Sequence, residues 1–102
     1  MNRSDFIGRY AVVRCRDAGV HIGRVESIDG REVVLDDARR LWRWKGAFSL
    51  SDLALGASLD REFTLLAPPI SVLLSEFCEI IPITAEVQAA IYALPHWTKA
   101  TG

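Results

Sequence analysis

The sequence predicts an α+β fold: a mainly antiparallel β meander, or small barrel-like sheet, with a short central helix and a C-terminal helix. Three observations carry that expectation. Residues 9–36 follow a period of two, interrupted at glycines, as half-buried strands do. The dipeptide Asp29-Gly30 parts two such runs and is the strongest hairpin signal in the chain. Helical spacing surfaces in SLSDLALG and again in AEVQAAIYAL.

Taken in order, RYAVVRCRD sets Val13 and Cys15 on one face and Arg14 and Arg16 on the other. DAGV then turns the chain. In VHIGRVESI, Val20, Ile22, Arg24, Glu26 and Ile28 share one face and His21, Gly23, Val25 and Ser27 the other, so neither is cleanly apolar. A bulge or kink near Gly23 reconciles them. Asp29-Gly30 accepts the two positive φ angles of a type I′ turn, which completes a three-stranded meander over residues 10–36. RRLWRWKG is expected as a fourth strand, closing at Gly46.

Ser49 is placed to cap a helix of about two turns that buries Leu50, Leu53 and Ala54 and ends at Gly56. EFTLLAPPISVLLSEFCEIIPIT reads as two or three strands, interrupted at Pro68-Pro69 and stopped by Pro82, which has no N–H for a ladder. Thr84 then caps a helix in which Val87, Ile91 and Leu94 pack on the sheet and which Pro95 ends.

A chain of 102 residues, 50% hydrophobic and 25% charged, is expected to fold as one domain over residues 1–102, with flexible ends near 1–8 and 96–102. Such a length buries roughly two-thirds of the unfolded surface and leaves little surplus stability, so a homo-oligomer would help. The net charge of -1 conceals an asymmetry: ten Arg/Lys against seven Asp/Glu in residues 1–50, two against six in residues 51–102. Opposite signs either solvate opposite sides of the folded chain or favour contacts between subunits. The near-neutral total argues against indiscriminate nucleic-acid binding, although a local contact stays open.

Cys15 and Cys78 lie in neither a CxxC nor a CxH spacing, so no metal and no cofactor is expected, and each reads as a half-buried strand residue in a reducing compartment. No run of eighteen apolar residues and no signal peptide appears, which places the expected protein in the cytosol, away from membranes.

Catalytic constellations are scarce. His21 and His96 are the histidines available to a nucleophilic triad; one lies in a strand and the other in the terminal PHWTK. Gly19, Gly23 and Gly30 are spaced as turn residues, unlike a phosphate loop. Asp36-Asp37 reads as a strand end that neutralises Arg39 or Arg40. The expectation is a protein that binds and is not an enzyme.

The exception is residues 39–45, where Arg39, Arg40, Trp42, Arg43, Trp44 and Lys45 gather two of the chain's three tryptophans and four of its twelve cations. On a strand, Arg40, Trp42 and Trp44 would share one face and Leu41, Arg43 and Lys45 the other. Indoles beside guanidinium groups stack planar rings and grip phosphates or carboxylates. The same tryptophans would equally serve as sheet core with the cations solvated. The candidate ligand-binding set is therefore these six residues with His21.

Three motifs also resemble a family of small phage and prophage proteins of unassigned function: Arg14 with Ala18-Gly19-Val20 and Gly23; Asp37-Ala38-Arg39-Arg40-Leu41-Trp42-Arg43-Trp44-Lys45-Gly46-Ala47 with Ser49-Leu50; and Glu79-Ile80-Ile81-Pro82-Ile83-Thr84. The likeness runs over residues 12–84 and departs at Cys15-Arg16-Asp17. It implies a phage-encoded accessory protein that acts by binding in the host cytosol. One form of this is an anti-defence protein that sequesters a nucleotide-derived signal within an oligomer. A protein or nucleic-acid adaptor, or a structural virion or assembly component, is the alternative.

Overall fold

The computed structural model describes residues 2–44, 49–56 and 65–94, apart from the side chains of Trp42, Arg43 and Leu65. β1 (Tyr10–Cys15) lies between β2 (Gly19–Asp29) and β6 (Phe77–Pro82), and β3 (Glu32–Arg43) pairs the far side of β2. β4 (Leu65–Leu66) and β5 (Ile70–Leu74) run along successive stretches of the outer edge of β3. All these ladders are antiparallel. With β6 at one end of the order and β4 and β5 at the other, the sheet is not closed. The α+β class therefore stands, with an open sheet in place of a barrel.

Each face of the sheet carries its own apolar layer. On the first, Val12, Ile22, Leu41 and Leu66 meet Leu53 and Ala54 of α1 (Leu50–Ala54) and Ile91 of α2 (Ala85–Tyr92), with Leu94 beside it. On the second, Ala11, Val13, Cys15, Val25, Val33, Leu35, Ala38 and Leu74 pack together, flanked by Phe6, Phe77 and Ile80. Alternation lets β1 serve both layers. β2 and β3 also break register, between Ile22 and Arg24 and again between Val25 and Ser27, which keeps Leu35 with Ala38 and Val25 with Ile28 in the second layer. Asp37 takes φ 51 at the first break, a left-handed conformation that Asp tolerates better than most residues. The tip of the hairpin reaches β6, where Phe77 N–H donates to Arg31 O at 3.1 Å.

Three expectations change here. The hairpin forms, but Asp29 pairs with Glu32 and the two-residue loop is Gly30-Arg31. Gly30 has φ 58 and neither Asp29 nor Arg31 is left-handed, the one-glycine pattern of a type II′ turn. Second, RRLWR is no fourth strand: it continues β3, because Asp36-Asp37 forms a bulge where a strand end was expected. Third, Cys78 is exposed while Cys15 is buried, and burial pushes the Cys15 thiol pKa up.

Other local signals act as expected. The Ser49 hydroxyl accepts from Asp52 N–H and the Thr84 hydroxyl from Val87 N–H, both at 3.2 Å. Pro68-Pro69 separates β4 from β5, and Pro82 ends β6. Pro95 and the chain end at 96–102 lie outside the described residues, as does Gly46.

Gly23 lies where the first break brings two strands close. A Cβ there would stand 3.0 Å from Cα and Cβ of Ala38 and 3.2 Å from Asp36 O. We expect Gly23→Ala to lower the unfolding free energy by about 1–2 kcal/mol, crowding against Ala38 outweighing the stabilisation from the reduced entropy of the unfolded chain. Urea denaturation of the two proteins measures it.

Candidate functional site

The cationic cluster is divided by the sheet. Arg39 lies opposite Ile22 and Arg40 opposite His21 in the β2–β3 ladder, so the two guanidinium groups leave opposite faces. Arg39 enters the first apolar layer and is 3% exposed. Its Nε donates to Ala67 O and its Nη1 to Tyr92 O, each at 3.0 Å, while its guanidinium stacks 5.2 Å from the Tyr92 ring centre. Burial lowers its pKa, and its Nη2 has no partner among the described residues. Tyr92 O belongs to the last turn of α2, the negative end of that helix, so Arg39 ties α2 and the β4–β5 connection to β3. That arrangement is a structural clamp.

Arg40 is exposed and lines an open pocket of about 270 Å³ with Asp17, Ala18, Gly19, Val20 and Leu41. Gly19 holds φ 82 in the turn that forms the far wall. Beneath the guanidinium, His21 is 2% exposed and its Nε2 accepts from Arg40 Nε at 3.3 Å. An accepting Nε2 puts the imidazole proton on Nδ1, which is buried without a partner among the described residues. Burial first, and the Arg40 charge second, lower the His21 pKa to about 4, so the ring is neutral near pH 7. A neutral acceptor holds Arg40 through Nε, on a side chain that is itself exposed. No described carboxylate forms an ion pair with Arg40.

The rest of the cluster divides likewise. Trp44 is half-buried and packs against the layer that contains Leu41, so it does not share the face of Arg40. The register slip between Leu41 and Arg43 breaks the alternation that would have placed them together. The side chains of Trp42 and Arg43, and Lys45 entirely, lie outside the described residues, as does His96.

The paired aspartates neutralise neither Arg39 nor Arg40 by hydrogen bond. Asp36 accepts from Ser71 Oγ and Arg24 Nη2 at 2.7 Å and from Asp37 N–H at 2.9 Å. The Ser71 hydrogen bond leads in lowering its pKa, followed by that from Asp37 N–H. Asp37 accepts from the Tyr10 hydroxyl at 2.7 Å, and the Tyr92 hydroxyl reaches the carbonyls of Asp37 at 2.6 Å and Ile22 at 2.9 Å. Tyr10 and Tyr92 meet edge to face with ring centres 5.7 Å apart. Tyr10 thus joins the Arg39 side, and His21 the Arg40 side. Glu79 and Glu76 pair with Arg14 and Arg16 along β6, where strand-edge charges were expected.

Sequence reasoning missed the pocket wall. Asp17, Ala18 and Gly19 read as an ordinary turn, and their nearness to Arg40 comes from the pairing of Val20 with Leu41. Among the described residues no group of His, Cys, Asp and Glu is placed to hold a metal, and no helix is long and apolar enough to cross a membrane.

Residues 8–91 match the family model described as Domain of unknown function (DUF6948). No curated protein and no solved structure matches the chain.

The neutral His21 makes stability depend on pH. Its imidazole takes a proton near pH 6.5 in the unfolded chain and only near 4 when folded, so the unfolded state binds more protons between these values. Its contribution is complete above pH 6.5 and falls as pH drops toward 4, by about 3 kcal/mol over the whole window. Denaturation of wild type and His21→Gln across that range checks this: the wild type should lose more stability on acidification than the variant.

Proposed function

The chain belongs to the DUF6948 family, a domain of unknown function from which no activity is inherited, and we propose that it is a non-catalytic binding protein for a nucleotide-derived anion. The observation that carries this reading is the Arg40 guanidinium, free of ion pairs with the described carboxylates and held by a neutral buried histidine at the rim of a pocket. An arginine fixed through Nε presents two parallel N–H donors, the fork that fits a phosphate or carboxylate edge.

Asp17 on the opposite wall refines the ligand class. A carboxylate repels a bare polyanion but accepts from a hydroxyl or amino donor. The pocket suits a molecule with both an anionic group and hydroxyls, as an ADP-ribose derivative or a cyclic dinucleotide has. At about 270 Å³ it is smaller than the usual ligand cleft of roughly 300–1,000 Å³, so it holds part of such a molecule. Sequestration of a nucleotide signal, as in a phage anti-defence protein in the host cytosol, is the role this chemistry suits. The clamp role of Arg39 and the apolar packing of Trp44 narrow the ligand-binding set to Arg40 and His21, with Trp42, Arg43 and Lys45 as further members of the same proposal.

Calorimetric titration with ADP-ribose, cyclic dinucleotides and inorganic phosphate tests the reading. We expect saturable binding of at least one nucleotide and a loss of about 10–100-fold in affinity for Arg40→Ala, the worth of a charge-assisted contact. Arg39→Ala should instead lower the melting temperature. Absence of saturable heat with every nucleotide, or affinity that climbs with oligonucleotide length and collapses with salt, overturns it in favour of an adaptor.

A further inference from the structure

We propose that β5 is a homodimerisation edge, pairing antiparallel with β5 of a second copy of this chain about a twofold axis at Val72. Among the described residues the sheet ends in two kinds of edge. β6 is guarded: Glu79 and the adjoining Glu76 carry charge along it, in ion pairs with Arg14 and Arg16, and Pro82 ends it. β5, with sequence ISVLL, contains no charge and no proline, and its one ladder among the described residues is to β3. Ile70 and Leu73 on this strand are 56% and 60% exposed. A strand with one neighbour leaves alternate N–H and C=O groups unpaired on its free side, and an apolar, uncharged edge of this kind is a template for another strand.

The composition of the edge points to a second copy as the partner. Antiparallel pairing about Val72 sets Ile70 against Leu74 and Ser71 against Leu73 of the other copy, so no like charges meet. Glu76 falls opposite Pro68, beyond the ladder. Pro68-Pro69 ends the pairing stretch on one side and the turn before β6 ends it on the other, so two copies match in length. Because a twofold consumes both free edges, assembly stops at the dimer. The site joins two sheets into one continuous sheet and is independent of the Arg40 pocket.

Sedimentation velocity of the full chain over a wide concentration range tests the proposal. A reversible monomer–dimer equilibrium is expected, weakened about tenfold or more by Leu73→Lys and by Ile70→Lys. Leu55→Lys, at an 85% exposed residue away from this edge, should leave it unchanged. Far-ultraviolet circular dichroism confirms that each variant is folded. Amide exchange at Ser71–Leu73 should slow as wild-type concentration rises, a readout that needs no variant. A monomer at all concentrations, assembly beyond the dimer, a dimer indifferent to both edge lysines, or concentration-independent exchange in β5 overturns the proposal.

Discussion

One hairpin has to serve two cores. β2 and β3 supply Ile22 and Leu41 to the layer under the helices, and Val25, Val33, Leu35 and Ala38 to the opposite layer. Strict alternation cannot do this with these sequences, since Ala38 stands three positions from Leu35 and Ile28 three from Val25, yet each pair shares the second layer. The left-handed Asp37 and the paired register breaks absorb the mismatch. Gly23 is required because the strands approach too closely at the break for a side chain. Everything downstream inherits this geometry, including which arginine is buried and which is free.

Around the break the polar groups are partly matched. Asp37 and the two tyrosines form one network, and Asp36, Arg24 and Ser71 another beside it, with Arg24 opposite Tyr10 in the β1–β2 ladder. Burial raises the pKa of Tyr10 and, more strongly, that of Tyr92, which stay protonated and donate. Arg39 is the costly member, a buried cation held by carbonyls and an aromatic face. Its attachment to α2 makes the helix part of the sheet's own hydrogen bonding. Arg40 carries the same charge one residue on, yet it is exposed, with its Nε on a neutral imidazole.

The two helices, their caps, the proline breaks and the bulge near Gly23 were legible because each has a local cause: a hydroxyl before a helical period, a missing N–H, an alternation that fails. What escaped was long-range. Nothing local distinguishes Asp36-Asp37 as a bulge from Asp36-Asp37 as a strand end; Arg24, Ser71 and Tyr10 decide it, and they come from three other strands. The candidate site failed to be legible for the same reason. Arg39 and Arg40 read alike, and their opposite fates depend on the Ile22 and His21 they face. The Asp17 wall became visible only once β2 and β3 were paired, with Val20 against Leu41.

The two neighbours of β1 differ greatly in how far the chain must travel to meet them. β2 follows within a short turn, whereas the ladder to β6 joins Ala11 to Pro82. Closing so wide a loop carries a larger entropic cost, and contacts of high sequence separation slow folding. The meander therefore has the means to organise first, with Val12 and Val13 exposed along one unfinished margin until Ile80 and Ile81 arrive. In the folded molecule β6 covers that margin, setting Ile81 against Val12 and Ile80 against Val13 across a pairing that spans most of the chain.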